Sequence, residues 1–304
     1  MPDSAHKSTD SRLDKIERKI KNIYKRASGE ITKAWDEYMS QAALRVNELQ
    51  EEYESAKAAG DNETACKLGR KLASEKRAVT ISNKRFKAVS ETVAAELSNA
   101  TDTALAYING ELPPVYALNY NYFANEIGGK TRGAYFNLLN QHTVRNLVEN
   151  GEIVLPTRAL DRAKDKSWNM KKIQSEVAQG ILQGESMEKI AGRISVVQEM
   201  NAAAAIRTAR TAVTGAENQG RLDLLTEAES KGIIVKKKWI ATHDERTRDW
   251  HSELDGVSVD KDEPFVNSIG AIMFPGDPSA HPANVYNCRC ALGYEVVGFK
   301  AVKQ

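Results

Sequence analysis

Apolar residues recur at steps of three and four through the first part of the chain: Leu13, Ile16, Ile20, Ile23, Ala27, Ile31, Ala34, Tyr38, Ala42, Val46, Leu49 and Tyr53. The mean step is about 3.6, the period of a straight amphipathic helix rather than of a heptad supercoil. At roughly 1.5 Å of rise per residue, such a helix is about 65–70 Å long. Gly60 should end it, with Asp61 placed to cap a second helix. That second stripe carries Leu68, Leu72, Val79, Phe86, Val89, Val93, Leu97, Ala104 and Ile108, and Pro113-Pro114 should stop it. Two stripes of matching length predict an extended antiparallel hairpin over residues 1–112. So long a hairpin leaves outer faces for other proteins or for further copies of the chain. A self-contained bundle with the segment that follows is the alternative.

Residues 113–166 read as a connecting region. Tyr116, Tyr120, Tyr122 and Phe123 crowd together ahead of Gly128-Gly129, as interface or as core. A local helix with Val144, Leu147 and Val148 follows, then a short strand at Ile153-Val154-Leu155-Pro156. From Ser167, a good N-cap, helices resume: one with Ile173, Val177, Ile181 and Leu182 to a break at Gly184, one from Ser186 with Ile190 and Ile194, and one from Gln198 to Ser230. Lys231-Gly232 is a standard helix stop.

After Gly232 the pattern turns to strands. Ile233 to Ile240, Val257 to Val259, Ala271 to Phe274 and Ala291 to Val297 are the candidates, punctuated by Gly, Pro and Asp. A short helix is predicted from Asp244 to Leu254. The fold class is therefore α+β: a long N-terminal helical hairpin and further helices, then a small mixed α/β domain with a short sheet, over residues 167–304.

Composition narrows the function. The chain has 304 residues, 41% hydrophobic and 28% charged, with a formal charge of only +2. It should fold, and it lacks the concentrated basic excess of a dedicated nucleic-acid binder. No leader-like segment and no membrane-spanning apolar run is expected. Three cysteines, Cys66, Cys288 and Cys290, make no disulfide framework and suit a reducing compartment.

The residues with chemistry cluster late. Asp244 is placed to cap a helix that carries Arg248 and His251 on one face, Asp255-Gly256 is a turn, and Cys288 and Cys290 would point the same way on a strand. His251, Cys288 and Cys290 offer three soft zinc ligands, with Asp244, His243 or His281 to complete a tetrahedron. A buried cysteine pair with a hydrogen-bonded histidine is the other reading. On the preceding helix, Arg207, Thr211, Thr214 and Asn218 form a polar stripe that is either solvated or turned into the loops of the β unit. A metal-dependent nuclease using His243, Asp244, His251 and Asp255 is the enzymatic alternative. Weak DNA contact could come from Lys236-Lys237-Lys238 or from Lys67, Arg70, Lys71, Lys76, Arg77, Lys84, Arg85 and Lys87.

Taken together, these blocks resemble a known family. Arg207 to Thr211 with Asn218, then Trp239 with Asp244 to Arg248 and His251, then Leu254-Asp255-Gly256, Pro275-Gly276-Asp277 and Asn287-Cys288-Arg289-Cys290 are similar, in that order, to the phage head morphogenesis (Mu F-like) domain. The likeness runs roughly from Lys171 to Tyr294. It implies a structural, non-enzymatic minor capsid protein of a tailed phage, made in the host cytoplasm and carried in the virion. Its partners would be the portal protein and capsid or scaffold components, with self-association through the N-terminal helices. Some relatives carry Cys-x-x-Cys where this chain has Arg248 to His251, which implies zinc in those members. Others continue into a toxin or nuclease module, which is not expected in the ten residues after Tyr294.

Overall fold

The computed structural model describes residues 3–78, 84–131, 134–155, 166–183, 185 and 187–300. Val79, Pro156, Gly184 and Ser186 lie outside the described residues, as do the side chains of Ala42, Lys76, Arg77, Lys84, Arg85, Phe86, Ile181 and Leu182. Among the described residues, six helices come first: α1 (Ser4–Ala58), α2 (Asn62–Ala78), α3 (Lys84–Lys130), α4 (Gln141–Glu149), α5 (Lys166–Leu182) and α6 (Met187–Ser230). Then follow β1 (Ile233–Ile240), α7 (Asp249–Ser252), β2 (Ser258–Asp260), β3 (Phe265–Asn267), β4 (Gly270–Ile272), α8 (Pro282–Val285) and β5 (Ala291–Phe299). The fold is α+β, as the alternation of patterns predicts. No helix among the described residues is long and apolar enough to cross a membrane.

The chain packs into two compact units that cut across the ranges 1–112, 113–166 and 167–304. One comprises residues 1–20, 104–163 and 204–304, the other 21–103 and 164–203. In the second unit, α1 ends at Gly60 (φ +76°), and Asp61 accepts from the Thr64 amide and hydroxyl at the start of α2. Arg45 pairs with Glu75 and Tyr53 lies against Gly69, so α2 runs back along α1. The core of this unit joins Ile31 and Trp35 of α1, Val93 and Leu97 of α3, Ile173 and Val177 of α5, and Ile190 and Ile194 of α6.

The first unit holds the β region. Antiparallel contacts of α1 with α3 recur as Thr9 with Asn119, Arg12 with Glu111 and Lys19 with Tyr107. Pro113 and Pro114 do not stop α3, contrary to the expectation. Each proline removes one backbone donor, but Leu112, Val115, Tyr116, Phe123 and Ile127 on either side are buried, and their packing carries the helix onward. The tyrosine segment is therefore helical, with Tyr116, Tyr120 and Phe123 in the core and Tyr122 half-buried. The strand expected from Ile153 is absent among the described residues. Gly151 (φ +75°) and Glu152 donate to the carbonyls of Val148 and Leu147, a left-handed stop that closes α4.

Two of the predicted helices merge: α6 is continuous from Met187 to Ser230, because nothing between Val196 and Met200 breaks it. It ends as expected, with Gly232 at φ +83° and its amide on the Glu229 carbonyl. β1 lies between β2 and β5, antiparallel to both. β3 and β4 form a separate hairpin, and β3 and α8 had no separate signal in the pattern.

Candidate structural and metal site

The long helix α6 is the platform. Its residues Thr211, Thr214 and Asn218 are buried, while Arg207 one turn earlier is exposed. The Thr214 hydroxyl donates to the Cys288 carbonyl at 2.8 Å. The Asn218 amide donates to the carbonyls of Thr214 and Cys290, and its oxygen accepts the Leu292 amide at 2.6 Å. Thr211 Oγ1 accepts from the amide of Asn287, whose φ of +55° makes it the one non-glycine described residue in the left-handed region. The stripe is thus turned into the loop before β5. Thr214 and Asn218 satisfy backbone groups of buried Cys288, Cys290 and Leu292 that would otherwise lack a partner.

The other blocks engage backbone in the same way. Asp255 accepts the Ala241 amide at 2.8 Å and pairs with His243, while Gly256 (φ +78°) returns its amide to the Trp239 carbonyl. Asp277 accepts from the amides of Met273 and Ser279. Pro275 is buried beside Gly276, where a Cβ would lie 2.6 Å from the Gly215 nitrogen of α6. A glycine at 276 lets the turn and the helix meet so closely, and its φ of +85° favours glycine again. Arg248 donates to the Tyr286 carbonyl, and Thr242 to the Arg289 carbonyl.

Asp244 differs from its expected role. It caps a turn through the Arg246 amide and binds the Arg289 guanidinium, which holds its carboxyl far below the usual carboxylate range. The helix expected from Asp244 to Leu254 shrinks to α7, with Arg248 at its N-cap and His251 inside it.

His251, Cys288 and Cys290 come together, all buried, with ligand atoms within 4.8 Å of one another. The cysteines lie in the loop before β5 rather than on a strand, and neither is in a disulfide. His251 Nδ1 is 3.6 Å from the Cys288 sulfur and 3.7 Å from that of Cys290. A sulfur and an imidazole nitrogen sharing a tetrahedral zinc stand about 3.6 Å apart, from bonds of about 2.3 and 2.0–2.1 Å. These two distances fit three of the four positions of a tetrahedral zinc site. The hydrogen bond between the thiols, burial and their mutual repulsion push Cys288 well up. The same bond pulls Cys290 down against burial, aided by His251, so one thiol is primed to ionise. Trp239 is fully buried and meets the imidazole edge-on at 5.3 Å. Asp244, His243 and His281 do not join the trio. The first two pair with Arg289 and Asp255, and His281 caps α8 through the Ala283 amide. The carboxylates and histidines of the nuclease alternative are accordingly not gathered around one point.

Residues 171–293 match the family described as Phage Mu protein F like protein. Over this stretch, rather than its whole length, the chain is similar to that family. It is 32% identical over 203 residues to the minor head protein GP7 of Bacillus phage SPP1, across 64% of this chain and 63% of that protein. It is 31% identical over 157 residues to the NAD(+)–arginine ADP-ribosyltransferase EFV of Enterococcus faecalis, across 50% of this chain and 31% of that protein. The chain thus spans less than two thirds of either relative, and no solved structure matches it.

Within the Mu F-like region, the burial of the charged residues Arg221, Glu217 and Lys237 had no sequence signal. Arg221 of α6 is fully buried and binds Asp3, Asn119 and the Leu292 carbonyl, while neighbouring Glu217 takes the ring nitrogen of His6 at 2.8 Å. Lys237 points into the core of the first unit and donates to the Met273 carbonyl at 2.9 Å. Its flanking lysines pair across the sheet, Lys236 with Asp260 and Lys238 with Glu295. The lysine triplet is therefore not a free basic patch.

Proposed function

We propose that this Mu F-like chain is a minor head protein of a tailed bacteriophage, a non-enzymatic structural component of the virion that joins portal and capsid components during head assembly. One observation carries the reading. Thr211, Thr214, Asn218, Asp255 and Asp277, five polar residues of the helical stripe and the motif blocks, are all engaged with backbone amides or carbonyls. Chemistry on a substrate needs polar groups held free and convergent; here they brace α6 against the loops of the small sheet. The name of the SPP1 relative supports the same role. The ADP-ribosyltransferase likeness covers under a third of that enzyme, and its activity is not carried over.

In this proposal His251, Cys288 and Cys290 hold a structural zinc, which would staple α7 to the loop before β5 once the thiols are deprotonated. The exposed faces of α1 and α2 offer surface for self-association. Weak DNA contact would rest on the basic residues of α2, such as Lys67 and Lys71.

The test is a mass-spectrometric inventory of purified particles together with elemental zinc on the isolated chain. The chain is expected in heads at fewer copies than the major capsid protein, with about one zinc per chain. Repeated absence from particles overturns the head assignment; zinc far below stoichiometry removes the metal alone.

A further inference from the structure

A cleft of about 640 Å³ lies in the first unit between the start of α1 and the loops around α7 and β5. Its walls carry opposite charge. Asp10, Asp14 and Glu17, spaced four and three apart, line the α1 side. Arg246, Arg248 and Arg289 line the loop side. At one end the walls are already tied, because Arg210 binds Glu17 through two nitrogens at 2.6 and 3.0 Å. Beyond that tie they stay apart. The guanidinium of Arg246 makes no hydrogen bond or ion pair among the described residues, nor does the Asp14 carboxylate, and both side chains are exposed. Arg248 and Arg289 are held in place from behind by the Tyr286 carbonyl and by Asp244.

We propose that this cleft is a docking groove for a segment of another head protein that carries both acidic and basic side chains, acids toward Arg246 and bases toward Asp10 and Asp14. The proposal rests on the head-protein reading and names the chemistry of one partner. Asp10 faces His6 at 3.7 Å, but Arg246 and Asp14 stand unpaired on walls of opposite sign, which is complementary to a segment with both signs. A DNA backbone carries one sign only, and phosphates placed along the arginines would also face Asp10, Asp14 and Glu17 across the same groove. A protein segment is the better match.

Charge reversals on the two walls separate the possibilities. Arg246→Glu and Asp14→Lys alter exposed side chains outside the braced core, so both variants should melt as the unaltered chain does. Each variant would be supplied in place of the natural chain during phage growth, and its copies per purified head counted by mass spectrometry. Binding of each to a short DNA duplex would be followed by fluorescence anisotropy. Both reversals are expected to lower incorporation by about five- to tenfold. Incorporation equal to that of the unaltered chain in either variant overturns the groove, and leaves the head assignment standing because the unaltered chain is counted alongside. Weaker duplex binding by Arg246→Glu with tighter binding by Asp14→Lys, and a matching rise in incorporation for the latter, also overturns it and assigns the cleft to nucleic-acid phosphates. Absence of the unaltered chain from heads removes both readings together.

Discussion

At the scale of single residues, the small sheet depends on short polar side chains that serve as backbone partners. Asn218 is the most connected of them, since its amide bridges the Cys290 carbonyl and the Leu292 amide and so fixes the start of β5 to α6. Removing it leaves a buried donor and a buried acceptor unpaired, each at roughly 1–3 kcal/mol. Asn218→Ala is therefore expected to cost about 2–4 kcal/mol of unfolding free energy, read from denaturant titration. Thr214→Val, which removes the bond to the Cys288 carbonyl and keeps the volume, should cost less, about 1–2 kcal/mol. Equal and negligible losses in both would mean that the loop before β5 is held by its apolar contacts alone. The polar stripe itself could be seen in the sequence from its spacing of four, three and four. Its direction could not, because a helical period does not say which face meets protein. Arg221 and Lys237 escaped altogether, since charged residues are ordinarily surface residues and their partners Asp3, Asn119 and Met273 lie far away in sequence.

At the scale of elements, the sequence was most informative where a local rule decides and least where packing overrides it. The turn at Gly60-Asp61 and the stop at Gly232 are backbone rules, and the structure follows them. Pro113-Pro114 is a local rule that lost to the buried residues around it. The merging of two expected helices into α6 has a similar cause, since its early part is needed by one core and its later part by the other. The meeting of α3 and α6 within the first unit gives an element-scale test. A Cβ at Gly220 would lie 2.6 Å from the Tyr116 carbonyl oxygen, a backbone atom that cannot swing aside. Gly220→Ala should force the helices apart and cost about 1–3 kcal/mol, measured by thermal or chemical unfolding. Gly110→Ala, on α3 where a Cβ meets nothing within 4 Å, should be neutral or stabilise by up to about 1 kcal/mol. If both substitutions behave alike, the close approach of the helices is not what the glycine at 220 provides.

At the scale of the whole molecule, stability should vary with pH through groups that the two ends of the chain bring together. His6 is buried, which opposes its charge, but the hydrogen bond and charge of Glu217, with Asp10 adding, outweigh burial and the repulsion of Arg221 and raise its pKa. Folding therefore favours the imidazolium. That contribution is whole below about 6.5, the free value, and fades as pH climbs through the raised folded value. Asp3 runs the other way: burial is outweighed by Arg221, its pKa is lowered, and its contribution is present above the free value and lost as acid takes pH through the folded one. Lys237 adds an alkaline limb. Burial, only partly offset by Asp262, Asp277 and Glu263 and reinforced by Lys261, pushes it down to about 8. Between that value and the free value of roughly 10.4 the unfolded chain holds more protons than the folded one, so stability rises with pH there, by an amount on the order of 2–3 kcal/mol. Unfolding free energy is thus expected to decline as pH rises past about 6.5, the free imidazole value, and to recover above about 8, where Lys237 titrates in the folded chain. His6→Gln should flatten the decline, and Lys237→Met should abolish the recovery while leaving the decline in place. A profile unchanged by either substitution would mean that the buried charges titrate alike in the folded and unfolded chain, and that neither the clasp of His6 on α6 nor the lysine on the core face is tuned by its surroundings.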